Sequence, residues 1–579
     1  MNDTGSLEAT MSSNLATVQG ENTPFQSRPS SLVVRSLDNF LQDAEEEHAD
    51  TSWSHHWRYW AIFASLGVAN SSDASEILCL SYILSDNTFQ HRMLLDTAWR
   101  GGLLAAAVFL GMLLGGLLVG TLGDRLGRRP MLLTGLVTNC TAGLLSAAAP
   151  DVLLLAVLRL VAGVGIGASV PPLFTLCSEL APPAYRGFWV TVAASFWMVG
   201  SIYVALVGWW LLGSTAASSD GSDWRIFAAM CALPSALGCF LVFQLVPESP
   251  RFLALQGRHD EAVVVAQRLA DSLQYTGPPL TREELIVHYP YQHHEYQRSG
   301  TSASQQGNGA GRPTWIGSMI RMAWTDFKMG TSKLYTPQLR QITWPLQMVW
   351  FSLSFGSYGL LTWINTLFFQ VHLENVYFNA LLFSLSNLPG NLLSAWLMDR
   401  AGRSTLLIGS VVAAALSLIV FAFVAYTRDN AESSIDKLSA GWIVGSACAF
   451  QCFTISAWNA IDVMTSELFP TTVRSTGLGV CAASGRIGAM LAQFVNGALV
   501  EQPVRLLLVA AGTLLLGALT PGLLPAASDR TGQPVVDLIV EDSYEYSPVQ
   551  SPRGALDLDE ISNHVVSNTS QGSVGPDGH

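Results

Sequence analysis

Charge is scarce in this chain. Only 13% of its 579 residues are Asp, Glu, Lys or Arg, while 50% are hydrophobic; an ordinary soluble domain carries about a quarter charged residues. No basic stripe marks a nucleic-acid surface, so nucleic acid is not an expected partner. The formal net charge of −13 is carried largely by acids in the two tails. No C-x-x-C pair occurs among Cys79, Cys140, Cys177, Cys231, Cys239, Cys448, Cys452 and Cys481. All eight lie in or at the ends of apolar segments and read as small core residues, not as disulfides or a metal site. No Walker loop is present, so ATP does not drive the process and no cofactor is expected. None of the eleven histidines falls well inside an apolar run, and no nucleophile–base set suggests an enzyme. No signal peptide is read at the N-terminus, whose first fifty-odd residues are polar and acidic.

Long apolar runs are what the chain does have, and its mean hydropathy is +0.34. Runs of about 20 residues, each enough to cross a hydrocarbon core as a helix, fall near 58–84, 98–121, 131–149, 152–178, 188–212 and 225–246. Six more follow near 341–369, 376–397, 405–426, 439–463, 476–500 and 504–526. The expected fold is an all-α membrane protein with twelve transmembrane helices in two pseudo-symmetric six-helix bundles. Its parts are a disordered tail (1–56), a first bundle (57–253), a linker with surface helices (254–340), a second bundle (341–526) and a disordered tail (527–579). Within these, 33–41 is a possible short amphipathic helix, 258–269 reads as a surface helix, and 289–313 reads as flexible. Arginines concentrate in alternate links, which places those links, both tails and the linker in the cytoplasm.

Two motifs occur twice. Gly120-Thr-Leu-Gly-Asp-Arg-Leu-Gly-Arg-Arg-Pro130 joins the second and third runs, and Asp399-Arg-Ala-Gly-Arg403 joins the eighth and ninth. Links this tight need glycine at positive φ. Glu179-Leu-Ala-Pro-Pro-Ala-Tyr-Arg186 and Glu467-Leu-Phe-Pro-Thr-Thr-Val-Arg474 end the fourth and tenth runs with a shared Glu-x-x-Pro-x-x-x-Arg spacing. Such repetition points to a duplicated half. Asp124, Arg125, Arg128, Glu179, Arg186, Glu248, Arg251, Asp399, Arg400, Arg403, Glu467 and Arg474 form a candidate cytoplasmic gate. Two readings of these charges stand: latches between the halves, or ion pairs inside each half.

Pro247-Glu-Ser-Pro-Arg-Phe-Leu253 resembles the signature that follows the sixth helix in the sugar-porter and organic-ion branches of the major facilitator superfamily. The Gly/Asp/Arg links resemble that superfamily's loop signature and its echo. Asp73-Ala-Ser-Glu76, Phe196-Trp-Met-Val-Gly200 and Ala457-Trp-Asn-Ala-Ile-Asp462 resemble the synaptic-vesicle-glycoprotein and related-protein branch, without the large insert after the seventh helix. The Pro-Glu-Thr-type end motif is degraded to Pro525-Ala-Ala-Ser-Asp-Arg-Thr-Gly532. The resemblance covers 57–526. It implies a secondary carrier, or a transporter-like vesicle protein, and places Trp197 and Trp458 facing inward.

Ionisable groups inside spans are costly and usually face a cavity or a partner. Asp73 and Glu76 share a helical face, as do Trp458 and Asp462. Asp73, Glu76 and Asp462 are candidate proton carriers; the competing reading pairs the first two with Arg159 or Arg486 as structural ion pairs. Trp197, Tyr358 and Trp458 are candidates to enclose a ligand, and Arg159 and Arg486 are candidates to pair with an anionic group or a proton-bearing acid. Gly163-Val-Gly-Ile-Gly167 reads as close helix packing, not a phosphate cradle. The expectation is a monomeric, proton-coupled carrier or symporter of a small organic solute, embedded in the lipid bilayer of the plasma membrane or of a vesicle or vacuole. The rivals are a non-transporting receptor or vesicle protein, and a facilitative uniporter.

Overall fold

The computed structural model describes residues 35–47, 57–93, 98–214, 223–289, 331–429, 436–470 and 473–524, with Thr325 and Lys328. Most of the two expected tails, the middle of the linker beyond Tyr289, the degraded end motif and the side chains of Asp124, Arg125 and Asp399 lie outside the described residues.

The first half contains α1 (Leu37–Glu46), α2 (Trp57–Ser85), α3 (Asn87–Met93), α4 (Ala98–Leu126), α5 (Arg128–Ala147), α6 (Val152–Leu180), α7 (Arg186–Ser214), α8 (Asp223–Cys231) and α9 (Leu233–Leu245). Surface helices α10 (Pro250–Leu255), α11 (His259–Ser272) and α12 (Arg282–His288) follow. The second half contains α13 (Arg340–Gln370), α14 (Val376–Leu385), α15 (Asn387–Ala401), α16 (Arg403–Asp429), α17 (Asp436–Leu468), α18 (Arg474–Leu499) and α19 (Pro503–Leu519). All twelve expected segments are helical. The sixth is interrupted at Ala232, just before Pro234, and the eighth at Ser386.

Packing repeats the duplication seen in the motifs. Helix α2 lies against α7 and α9 as α13 lies against α18 and α19; α4 and α5 flank α6 as α15 and α16 flank α17. The halves meet mainly where α4 packs on α18, α7 on α14 and the start of α15, and α2 on α13. Among the described residues, nine helical stretches are long and apolar enough to cross a membrane. Helices α2, α13 and the α14/α15 pair fall outside that set. They carry buried polar side chains, including Ser72, Asp73, Glu76, Ser357, Asn365 and Asn387. A helix that faces protein on every side can hold such groups, because its neighbours satisfy them.

Glycine permits the closest crossings. A Cβ on Gly163 or Gly167 would overlap the α4 carbonyls of Val108 or Met112, and one on Gly165 would press on α5 at Gly135 and Asn139. The expected packing role of this stretch is what the structure contains.

The segment expected to be a disordered tail up to residue 56 contains α1, which is a correction. The expected short amphipathic helix lies further along, at Leu37–Glu46. Ser36 caps it by accepting from the N–H of Asn39 at 3.1 Å. Leu37, Phe40, Leu41 and Ala44 fall on one face and are buried, so the acids Asp43, Glu46 and Glu47 point outward. Phe40 meets Tyr275 edge-on at 5.5 Å. Arg35 reaches Glu284 at 3.3 Å and the carbonyls of Pro278 and Pro279 at 3.2 and 3.1 Å. Asp38 accepts from Arg186 at 2.6 Å, and Gln42 accepts from the N–H of Ala184 at 3.1 Å. The expected surface helix at 258–269 is α11, whose Ala262, Ala266, Leu269 and Ala270 are buried in the same cluster.

Phe40→Ala should weaken this docking by about 3–5 kcal/mol, read as faster amide hydrogen exchange over Leu37–Glu46 with the spans unchanged. Burial pushes Glu284 upward, but the Thr281 N–H and hydroxyl together with Arg35 hold it below the ordinary 4.5. Its folded value therefore lies below its unfolded one. The stabilisation is present above about pH 4.5 and is lost as pH falls through the lower folded value. Protection of the α1 amides, corrected for the intrinsic pH dependence of exchange, should fall in acid below that point.

Candidate functional site

The arginine-rich end is built from the doubled motifs. Gly127 (φ 106°) and Gly402 (φ 81°) each stand just before the next helix, in backbone that favours glycine. The turn at Gly127 aims the α5 N-terminus at Glu248. That carboxylate accepts from the N–H groups of Arg128, Arg129 and Ser249 at 3.1, 3.2 and 2.9 Å. An acid at a helix N-terminus meets unpaired donors and the positive end of the dipole. Burial pushes Glu248 above its usual value even so, against those donors and the Arg128 charge. Ser249 caps α10, with Pro250 at its first position.

The equivalent arginines then find equivalent acids. Arg128 pairs with Glu179 at 3.3 Å in the first half, and Arg403 pairs with Glu467 at 3.2 Å in the second. Arg128 also lies 4.8 Å from the Phe252 ring centre. Arg186 donates to the carbonyl of Ser178 at 3.0 Å, and Arg474 to that of Phe469 at 3.3 Å. Arg400 lies over Trp396 at 4.5 Å, and Arg251 is exposed at the start of α10. The pairs Arg128–Glu179, Arg186–Asp38 and Arg403–Glu467 each stay within one half.

Deeper in, Asp73 and Glu76 share a face of α2 as expected, yet their carboxylates diverge. Glu76 turns into the first half and meets Arg159 of α6 at 2.5 Å, both 1% exposed. Gly143 of α5 makes room: a Cβ there would overlap the Glu76 carboxylate. Cys79 Sγ lies 3.8 Å from the same guanidinium. Asp73 turns toward α6, where Ser169 Oγ lies 3.4 Å from Oδ1; its Oδ2 has no hydrogen-bond partner. The charge of Arg486 on α18 acts on Asp73 and also on Asp462 of α17. One arginine from the second half thus faces an acid from each half.

Aromatic rings surround that arginine. Arg486 lies 5.5 Å from the centre of Tyr358. Tyr358 in turn is 5.6 Å from Trp458, 6.5 Å from Trp197 and 5.5 Å from Phe109. Trp458 Nε1 donates to Ser357 at 3.2 Å. Trp350 stands 5.3 Å from Trp458 and donates to Thr465 at 3.0 Å. Asp462, one turn beyond Trp458, is exposed and has no hydrogen bond or ion pair among the described residues. The eight solute and proton candidates therefore form two groups. Glu76 and Arg159 are sealed inside the first half, where Asp73 is buried against α6; Trp197, Tyr358, Trp458, Asp462 and Arg486 gather between the halves. Trp350 and Phe109 belong to the second group but were not among the candidates. Trp350 is two helical turns before Tyr358 on one face of α13, a spacing that seventeen tryptophans make unremarkable in a sequence.

At the opposite end the halves close on each other. The contact begins halfway along the spans, where Asn387 donates to Ser201 at 3.0 Å and accepts from Gln451 of its own half at 2.7 Å. Tyr82 stacks on Tyr377 at 6.0 Å, and a Cβ on Gly102 would press on the Gln493 carbonyl. Just beneath this closure, a cleft is lined by Ser81, Tyr82, Trp197, Asn365, Asn387 and Gln451, among others.

A family model described as "Sugar (and other) transporter" matches residues 63–519. The chain belongs to the sugar (and other) transporter family. It is thus an integral, multi-pass membrane protein and not an enzyme. This transporter-family chain is 27% identical to bovine (Bos taurus) synaptic vesicle glycoprotein 2A over 567 residues, covering 75% of this chain and 73% of the relative. It is 26% identical to human synaptic vesicle glycoprotein 2B over 630 residues, covering 86% and 88%. Its fold is that of the E. coli xylose transporter XylE in a partially occluded inward open conformation. There the TM-score is 0.61 at 17% identity, with 82% of this chain and 99% of that one covered. XylE bound to 6-bromo-6-deoxy-D-glucose gives 0.58 at 18% identity, with 83% and 98% covered.

Removing one member of a buried ion pair leaves the other uncompensated, at a cost of about 3–5 kcal/mol. Arg159→Met should therefore lower the thermal unfolding midpoint of the purified protein. Pairing it with Glu76→Gln should restore most of the loss, since the two effects are coupled.

Proposed function

We propose that this chain is a secondary active transporter that moves a small organic solute by alternating access and couples that movement to protons. The observation that carries the reading is the difference between the two ends. The halves interlock from mid-span, through Asn387–Ser201, to the arginine-poor end, through Tyr82–Tyr377, while the ion pairs Arg128–Glu179 and Arg403–Glu467 at the arginine-rich end each lie within one half. Between them, Asp462 is exposed although it sits beside the aromatic cluster and Arg486. Such a shape is a chamber open on one side.

The arginine-rich end is cytoplasmic by the distribution of positive charge, so both tails and the linker lie inside and the chamber faces the cytoplasm. The XylE structure with which the fold is shared is described as inward open, and another as a proton:xylose symporter. The solute binds among Asp73, Trp197, Tyr358, Trp458, Asp462 and Arg486. The proton is held by Glu76 or Asp73. Protonation of Glu76 releases Arg159, and that exchange of partners can bias one packing of the first half over another. Arg128, Arg403 and their neighbours then act as the cytoplasmic gate, each pair giving up its own half's acid when the halves approach.

The test starts with a thermal-shift screen of small organic solutes at two pH values. Uptake of any hit into proteoliposomes under an imposed pH gradient follows. Accumulation above equilibrium is expected, with Glu76→Gln or Asp73→Asn reducing it at least about tenfold while passive exchange persists. Flux that ignores the gradient would make the chain a uniporter. Absence of flux for every hit would make it a receptor.

A further inference from the structure

We infer that Arg129 heads a lipid site: an anionic phospholipid sets its headgroup phosphate on the guanidinium and lays an acyl chain along the seam between α5 and α9. Neither the gate nor the solute site uses this arginine. The inference does not need the carrier reading, only that the arginine-rich end lies at a leaflet surface. The duplicated turn indicates that Arg129 is not there for the turn itself. Aligning Gly127-Arg128 with Gly402-Arg403 sets Arg129 opposite Ser404, and the second turn forms with serine in that place.

The side chain is held but not neutralised. The backbone N–H of Arg129 serves Glu248, yet no carboxylate ion-pairs with its guanidinium among the described residues. Its Nη2 donates to the carbonyl of Phe243 at 2.6 Å, in the last turn of α9, where carbonyls lack partners within the helix. That contact fixes the guanidinium and offsets only part of its charge. Its Nε is buried without a hydrogen-bond partner, and the side chain as a whole is half-buried. A guanidinium carries five donors in a planar fork, so a phosphate would supply the missing charge and take two N–H groups at once.

The surface beside the arginine favours a lipid over a free phosphate. Phe240 and Phe243 are exposed on α9, and Pro130, Thr134 and Val137 are exposed on α5, which packs beside it. The Thr134 hydroxyl is already spent on the Pro130 carbonyl at 2.8 Å, so it is not left over for water. Arg129 lies 5.7 Å from the centre of the Phe243 ring, which joins the charged and apolar parts of the site. A free phosphate would use the arginine and gain nothing from this face, whereas a phospholipid uses both. A zwitterionic lipid brings its own ammonium to compete for the phosphate, so net negative charge is selected.

Native mass spectrometry of the full-length protein in detergent micelles tests this. The protein is titrated with palmitoyl-oleoyl phosphatidylserine or with phosphatidylcholine bearing the same chains. Phosphatidylserine should bind about fivefold or more tightly. Arg129→Ser, which copies the second half, should bring it down to the level of phosphatidylcholine, and Arg129→Lys should keep part of the preference. Arg268→Gln, which removes a charge from the exposed side of α11, should keep all of it. A phosphatidylserine with a diazirine midway along one chain should label α5 and α9. Equal binding of the two lipids, a preference that survives Arg129→Ser or falls as far in Arg268→Gln, or labelling confined to other helices would overturn the inference. So would inorganic phosphate that displaces phosphatidylserine from the wild type, since that marks a free-anion site. Solute flux plays no part in these readouts, so failure of the carrier reading leaves them standing.

Discussion

A charge removed from water must find an opposite charge, a set of donors or a pocket of water, and the arrangement of this molecule follows from that requirement. Glu76 meets it with Arg159, in a space that Gly143 keeps free. Glu248 meets it with three backbone donors at the head of α5. Asp462 meets it by exposure. These solutions differ in what they permit. A sealed pair or a capped helix holds its part of the fold still. An acid open to water can exchange that water for something else. Under the proposed carrier function, the chemistry of transport belongs with the third solution and its support with the first two.

The duplication gives these devices their symmetry. Arg128–Glu179 and Arg403–Glu467 are one contact made twice, each preceded by a glycine in left-handed backbone. Each ties the start of its half's third helix to the end of its fourth. The sealed Glu76–Arg159 pair belongs to the first half alone, whereas Arg486 in the second half faces outward toward both acids. The two arginines are not counterparts: buried Arg159 stands on the first half's fourth span, and half-buried Arg486 on the second half's fifth. That difference sets a fixed site in one half beside an adaptable surface on the other.

Much of this was legible in the chain. The twelve segments were readable because each apolar run is at least as long as a membrane is thick, and the arginine asymmetry ordered their links. The doubled motifs announced the two halves. The partners within those motifs were not readable: Glu-x-x-Pro-x-x-x-Arg does not say that its acid will pair with the arginine at the start of the preceding helix. Spacing placed Asp73 and Glu76 on one face but could not show that their carboxylates part, one toward Arg159 and the other toward Ser169. Helix α1 was hard to see because ten residues with four apolar ones carry little signal by themselves; its order comes from the linker helices it rests on. Trp350 was hidden among many similar residues.

Helix α1 and the linker helices bear on the first half, in a cluster with the inner parts of its spans. Among the described residues the second half has no comparable cap. Among the described residues the first half carries a brace and its twin does not, so under the proposed alternating access the pair resembles a stator with a lighter rotor more than two equal rockers. In such a machine the swing falls mainly to α13–α19. Anything that grips the region around α1 in the cell would act on the frame, leaving the moving part to find its own travel.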